Sequence, residues 1–124
     1  MNPGLTKTYI AEGAIPARAF VKAGSTDGTV AMATATTDAI IGVNERLDVD
    51  DGDRVDIIHS GIAETVAGGP IAYGAFVTAS NAGNAVSASP AAGVNARVGG
   101  MALQSALAAG DIIDTLLTPI RVQG

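Results

Sequence analysis

Three short stretches hold the side chains that chemistry would need. His59 is the single histidine of the chain and adjoins Ser60, which sets a base beside a hydroxyl nucleophile. In a strand, consecutive side chains point to opposite faces of the sheet, so these two would not bond to each other. The G-x-S-x-G elbow that exposes a nucleophilic serine is missing. His59 therefore reads as a packed or surface histidine rather than a general base. The second stretch, Asp48-Val49-Asp50-Asp51-Gly52-Asp53, offers carboxylates spaced by two that could converge on a hard cation such as calcium. Counted from Asp48, its glycine comes one place too early for an EF-hand, and His59 stands where the closing glutamate belongs. A solvated turn is the better reading, with Asp side chains bonding nearby backbone and Gly permitting positive φ. The third stretch is the pair of Gly-Gly steps, Gly68-Gly69 and Gly99-Gly100. Neither belongs to a G-x-G-x-x-G or Walker motif, and no lysine follows Lys22. They read as bends or bulges where backbones approach closely. No catalytic residue, metal site or cofactor is expected.

The charge pattern narrows the partners. The chain has 124 residues and a formal net charge of −5. Lys7, Arg18, Lys22, Arg46, Arg54, Arg97 and Arg121 are scattered singly. Binding a nucleic acid through counterion release needs several cations on one face, so DNA and RNA are poor candidates, and anionic membrane surfaces are disfavoured for the same reason. No apolar run approaches the roughly 20 residues of a membrane-spanning helix, and the N-terminus lacks the apolar stretch of a signal peptide. The expectation is a soluble protein acting where it is made. There is no cysteine, so neither disulfides nor thiolate metal sites arise.

The elements that would position these residues are short strands. Apolar, β-branched segments recur between Gly, Pro, Asn and Asp signals: Thr6–Ala11, 19–23, 29–33, Ile40–Asn44, Arg54–Ile58, 62–67, 75–79, 85–88, 95–104 and 111–117, with a tail at 120–122. Val55, Ile57 and His59 would share one strand face, with Asp56 and Ile58 on the other. Residues 103–109 contain good helix formers, but Gly110 stops them after about two turns, and so short a helix is marginal. The expected fold is all-β with little helix: one small barrel or sandwich over residues 13–124, preceded by residues 1–12 as an N-terminal arm or first strand. No repeat of the solenoid or propeller kind is visible. The apolar share is 48% but the aromatic share only 3%. Much of the apolar content is Ala, which contributes far less on burial than the roughly 1.5–3 kcal/mol of a Val, Leu or Ile. Such a chain gains from burying further surface in an oligomer or on a larger partner.

The ordered set of segments resembles a known family. Gly13-Ala14-Ile15-Pro16, Ile41-Gly42-Val43, and Asp51-Gly52-Asp53-Arg54-Val55 with His59-Ser60-Gly61-Ile62-Ala63 come first. Ala67-Gly68-Gly69-Pro70-Ile71, Gly74-Ala75-Phe76-Val77, Val98-Gly99-Gly100-Met101-Ala102-Leu103 and Ala109-Gly110-Asp111-Ile112-Ile113 follow, with Leu116-Leu117 at the close. Together, across residues 13–117, they resemble the capsid cement, or head decoration, proteins of tailed bacteriophages. The resemblance implies a β-barrel-like or sandwich domain that works without catalysis. It would oligomerise, as a homotrimer or else a dimer, on the outside of the phage head and bind the major capsid protein. It would be made in the bacterial cytoplasm and end in the virion. Met1, Asn2, Pro3, Gly4, Leu5, Thr6 and Lys7 are the expected capsid or oligomer contact, since an N-terminal arm can extend a partner's sheet; the bland alternative is a frayed terminus.

Two other classes compete. A small β-barrel module for a carbohydrate or other ligand, displayed on a virion, would use an aromatic platform drawn from Tyr9, Phe20, Tyr73 and Phe76. An enzyme would need clustered polar residues in a pocket. A lipoyl- or biotinyl-carrier domain, suggested by the turn Gly52-Asp53-Arg54-Val55, fails because no hairpin lysine exists: the chain has only Lys7 and Lys22.

Overall fold

Ten strands form, and the Gly- and Asp-bearing turns separate nearly all of them where the sequence places its breaks. The computed structural model describes residues 5–36, 38–45, 47–88 and 95–123. Its strands are β1 (Thr6–Ala11), β2 (Phe20–Ala23), β3 (Thr29–Met32), β4 (Ile40–Asn44), β5 (Arg54–Ile58), β6 (Gly61–Val66), β7 (Phe76–Ala79), β8 (Ala85–Ser87), β9 (Asn95–Ala102) and β10 (Ile112–Gln123). The first five close into a barrel in the order β1-β3-β2-β4-β5, and the last five make a sheet in the order β6-β10-β9-β7-β8. The fold is all-β, and residues 6–11 are a barrel strand. Residues 103–109 do not become a helix, because their backbone is engaged elsewhere. Ala106 exchanges hydrogen bonds with Ile71, and the Asp111 carboxylate accepts the N–H groups of Leu107 and Ala108. The expected tail at 120–122 is continuous with β10, whose register with β9 shifts between Leu117 and Ile120. That shift falls at Pro119, which has no N–H to give the ladder.

The two sheets are one design built twice. Thr6, Lys7, Thr8, Tyr9 and Ile10 of β1 lie opposite Ile58, Ile57, Asp56, Val55 and Arg54 of β5. In the same manner Ile62, Ala63, Glu64, Thr65 and Val66 of β6 lie opposite Leu116, Thr115, Asp114, Ile113 and Ile112 of β10. Phe20 and Val21 face Val43 and Gly42, as Phe76 and Val77 face Met101 and Gly100. The parallel pairing of Ala11 with Val30 that closes the first barrel has its counterpart in a single parallel bridge, Ala67 to Ala85, and the bridges Ile15–Val49 and Ile71–Ala106 also correspond. Left-handed backbone recurs at matching places: Gly28 and Gly83, Gly52 and Gly110, Arg18 and Gly74. The chain is therefore a tandem of two five-stranded modules, residues 6–58 and 61–123. This repeat is of neither the solenoid nor the propeller kind, and the divergence of the two halves hides it in the sequence.

Why the modules form one body follows from where their apolar side chains point. Ala11, Ile15, Val21, Val30, Val55 and Ile57 fill the first barrel. Phe20, Val43 and Ile58 lie on its outer face, one residue out of phase with that interior set. They are nevertheless 0%, 0% and 4% exposed, since the second module covers them. All three join one apolar cluster with Ala63, Val77, Ala102, Ile113 and Leu117 of that module. Gly99 makes the contact feasible: a Cβ there would come within 2.6 Å of the Phe20 ring. The junction is also pinned by polar contacts. The Phe20 N–H donates to Gly83 O at 2.9 Å, the Arg97 N–H donates to Thr36 O at 2.7 Å, and Arg18 Nε pairs with Glu64 Oε1 at 3.1 Å.

Arg18 holds a left-handed φ of 60° where the second module has Gly74. The conformation costs a residue with a Cβ about 1–2 kcal/mol. The Arg18 N–H bonded to Asn44 O and the guanidinium bonded to Glu64 hold it there. The duplication sets up a paired test. Phe20→Ala is expected to lower the unfolding free energy by about 3–5 kcal/mol, as for a buried aromatic. The equivalent Phe76→Ala should cost about 1 kcal/mol or less, as at a surface position. Urea denaturation of both variants measures the difference.

Candidate functional site

The strongest candidate for chemistry, His59, is fully committed to structure. Its Nδ1 lies 2.7 Å from Ile41 O. A carbonyl only accepts, so Nδ1 carries the proton and Nε2 is the free acceptor. The Tyr9 hydroxyl donates to that Nε2 at 2.6 Å, the two rings meet edge to face, and Lys7 Nζ sits 5.1 Å from the centre of the Tyr9 ring. A general base needs its lone pair free for a substrate proton, and here Tyr9 occupies it. Ser60 is no partner either, because its Oγ accepts the Leu5 N–H at 3.2 Å. The side chains that sequence reasoning separated are separate, and the one that engages His59 is Tyr9, which β1 places opposite Val55 of β5.

The acidic stretch is likewise spent on backbone. Asp48 Oδ1 accepts the Ala17 N–H at 2.7 Å, Asp51 Oδ1 the Gly13 N–H at 2.8 Å, and Asp53 Oδ2 the Asp50 N–H at 3.1 Å. These bonds fasten the connection between β1 and β2 to the turn before β5. Among the described residues no group of three or more His, Asp or Glu side chains is placed to hold a metal ion. Buried Asn44 completes the fastening, donating from Nδ2 to the carbonyls of Pro16 at 3.0 Å and Leu47 at 2.8 Å. The glycine pairs act by close approach. Gly100 packs its Cα against the backbone of Leu116, and Gly68 lies against Val86 and Asn84.

An open groove of about 660 Å³ is lined by Thr8, Glu45, Leu47, Arg54 and Asp56 among others. Asp56 is already bonded to Thr8 Oγ1 at 2.7 Å, and none of the four aromatic residues lines the groove. Phe20 is buried and Tyr9 is bonded to His59, which leaves Tyr73 and Phe76 as exposed rings. No sugar platform is assembled. What the surface does offer is apolar: among the described residues, Leu5, Leu47, Tyr73 and Leu107 are the most exposed large hydrophobic side chains. Of the seven residues expected to make contacts, Met1, Asn2, Pro3 and Gly4 lie outside the described residues. Leu5 is exposed immediately before β1, and Thr6 and Lys7 are exposed within it, paired to Ile58 and Ile57 of β5. The opposite edge of β1 meets β3 only at Ile10 and Ala11.

Two carboxylates titrate away from their ordinary range. Glu12 has its pKa lowered from 4.5, first by the Ser25 hydroxyl and then by the Ser25 N–H. Asp38 has its pKa lowered from 3.8, first by the Thr34 N–H, with Lys22 adding to the effect against a desolvation cost. Asp38 closes the loop whose Thr36 carbonyl receives Arg97 across the module junction.

A family model described as phage cement protein matches residues 1–118. No match is found among curated proteins. Among solved structures, the fold is similar to the N base of the head fiber gp8.5 of bacteriophage phi29. The TM-score is 0.65 at 22% identity, covering 92% of this chain and 93% of that one.

Two outcomes follow from the site geometry. Tyr9→Phe removes the donor to His59 Nε2 and is expected to cost about 1 kcal/mol of stability by urea denaturation. Acid should weaken the fold through Glu12 and Asp38. Their folded pKa values lie below the unfolded ones, so the stability they contribute is complete above about pH 4.5 and is lost as pH falls through the folded values. Asp38→Asn should reduce the slope of thermal-midpoint loss below that pH, measured by circular dichroism.

Proposed function

The chain belongs to the phage cement protein family, and from that premise we propose that it binds the outer surface of a tailed-phage head and stabilises the shell by bridging major capsid protein subunits. It is a structural, capsid-associated protein. The observation that carries this reading is the family match over residues 1–118. The site geometry supports it, since His59, Ser60 and the acidic turn are tied into holding the barrel together. Cementing requires no reaction. It requires many rigid copies presenting the same surface, each burying an interface of about 1,600 Å² in total. Gripping more than one capsid subunit raises the effective concentration of the second contact.

The capsid contact is assigned to the N-terminal segment, Met1 to Lys7, with Leu5 as its apolar anchor. Leu5 is 65% exposed and stands at the entrance to β1, whose edge beyond the reach of β3 suits addition of a partner strand. The protein is taken to act as a homo-oligomer, with no nucleic acid or membrane partner.

The test uses purified heads that lack the protein. Adding the full chain is expected to restore resistance to heat-driven DNA release, with ordered density on the outer shell by electron cryomicroscopy. Equal release with and without added protein, and no density outside the shell, would discard the cementing role. Leu5→Asp should weaken head binding by about tenfold or more, the loss of roughly 1.4 kcal/mol.

A further inference from the structure

Two Asp-Gly steps occur in the chain, Asp27-Gly28 and Asp51-Gly52, and the fold places both in the same kind of turn. The Thr29 N–H donates to Thr26 O at 3.3 Å, and the Asp53 N–H donates to Asp50 O at 3.1 Å. Gly28 and Gly52 hold φ of 79° and 86°. Each turn thus has Asp at its second position and a left-handed Gly at its third, the type II pattern. An aspartate followed by Gly can react with its own main chain, because Gly has no Cβ to keep its amide nitrogen from the carboxyl group. The local sequence makes the two steps equivalent. Their surroundings differ.

The Asp51 step is held at both atoms that would have to meet. Asp51 Oδ1 accepts the Gly13 N–H at 2.8 Å, and the Gly52 N–H donates to Ala11 O at 2.8 Å. Reaction there requires both hydrogen bonds to be released. At Asp27 neither restraint exists. Residues 25–28 are all exposed. Among the described residues no donor reaches the Asp27 carboxylate, and no acceptor takes the Gly28 N–H. The Ser25 hydroxyl and N–H are both given to Glu12, and the Thr29 hydroxyl donates to Thr26 O, so these donors are engaged elsewhere.

We propose that Asp27 is a site of spontaneous modification, converting to isoaspartate through a cyclic imide with Gly28, while the fold protects Asp51. The Gly28 nitrogen attacks Cγ of Asp27, and the carboxyl hydroxyl leaves with the amide proton as water. Water then adds to the succinimide. Breaking the bond from nitrogen to Cγ restores aspartate. Breaking the bond from nitrogen to the former backbone carbonyl carbon instead sends the main chain through Cβ. Water is the only co-reactant, and nothing is oxidised or reduced. The product carries an extra main-chain carbon immediately before Gly28. Gly28 O accepts the Ile10 N–H at 2.9 Å, beside the parallel pairing of Ile10 with Thr29 and Ala11 with Val30 that joins β1 to β3. Modification at Asp27 therefore loosens the closure of the first barrel. The chemistry depends on this chain alone and on no capsid partner, so it does not rest on the cementing reading.

Long incubation of the purified full chain in warm neutral buffer, followed by peptide mapping, tests it. Trypsin cuts after Lys22, Arg46 and Arg54, so the two Asp-Gly steps fall in separate peptides. The peptide holding Asp27 is expected to split into two species of identical mass. The new species should accept a methyl group from protein L-isoaspartyl methyltransferase. Isoaspartate at Asp27 should exceed that at Asp51 by about tenfold or more. In urea, where Gly13 and Ala11 no longer hold the second step, the two should react at similar rates. The Asp27→Glu chain should form none at that position and keep its thermal midpoint on ageing, whereas the aged wild type should melt earlier. Native Asp27 that stays unmodified overturns the proposal, as does equal reaction at Asp27 and Asp51 in the folded chain. A preference for Asp27 that persists in urea also overturns it, because local sequence and not the fold then sets the selectivity. A modified chain with an unchanged midpoint overturns the coupling to the β1–β3 closure.

Discussion

Covering an apolar row on the outside of a barrel is the constraint on which this molecule turns. A five-stranded barrel encloses a small interior, and in the first module Ala11, Val21, Val30, Val55 and Ile57 already fill it. Phe20, Val43 and Ile58 are therefore left on its outer face, where burying each is worth roughly 1.5–3 kcal/mol. The second module supplies that burial, and much else follows from it. Gly99 must lack a side chain to admit the Phe20 ring. Gly83 must offer its carbonyl to the Phe20 N–H. Arg18 accepts a left-handed backbone at the point where its guanidinium reaches Glu64.

Polar groups in this fold serve the connections. Asp48, Asp51, Asp53 and Asp111 each accept backbone N–H groups that would otherwise lack partners in the turns. Asn44 does the same as donor to carbonyls. Unpaired backbone groups away from water are costly, and a small protein whose commonest apolar residue is alanine has little margin for such losses. The side chains that look reactive in sequence are thus the fasteners of a scaffold. That division of labour agrees with a family whose work is adhesion.

Much of the architecture is legible in the sequence because short strands between Gly, Asp and Asn turns leave a strong local pattern. Residues 40–44 and 54–58 show it plainly, and so does the opposition of Val55 and Ile57 to Asp56. The same rule of alternation misleads at Ile58, which points outward and is buried all the same, since nothing local announces a second module lying on it. The duplication is hidden for a related reason. Phe20 and Phe76 occupy the same backbone position, but their neighbours are Arg18 and Gly74, Asn44 and Ala102, His59 and Leu117, pairs that share no chemistry. The His59–Tyr9 bond depends on the register of β1 with β5, a long-range pairing that composition and spacing do not encode. Helix propensity at 103–109 is overridden by Asp111 and by the bridge from Ala106 to Ile71, both tertiary in origin.

The link between the modules has a mechanical meaning. Only His59 and Ser60 separate β5 from β6, and both are anchored to the first strand, His59 through Tyr9 and Ser60 through the Leu5 N–H. There is no slack in which one module could swing against the other. A pull applied between the start of β1 and the end of β10 loads each antiparallel ladder at one end, since Thr6 lies opposite Ile58 and Gly61 opposite Leu117, so stiffness between the points of attachment comes from the two-residue link and the packed junction.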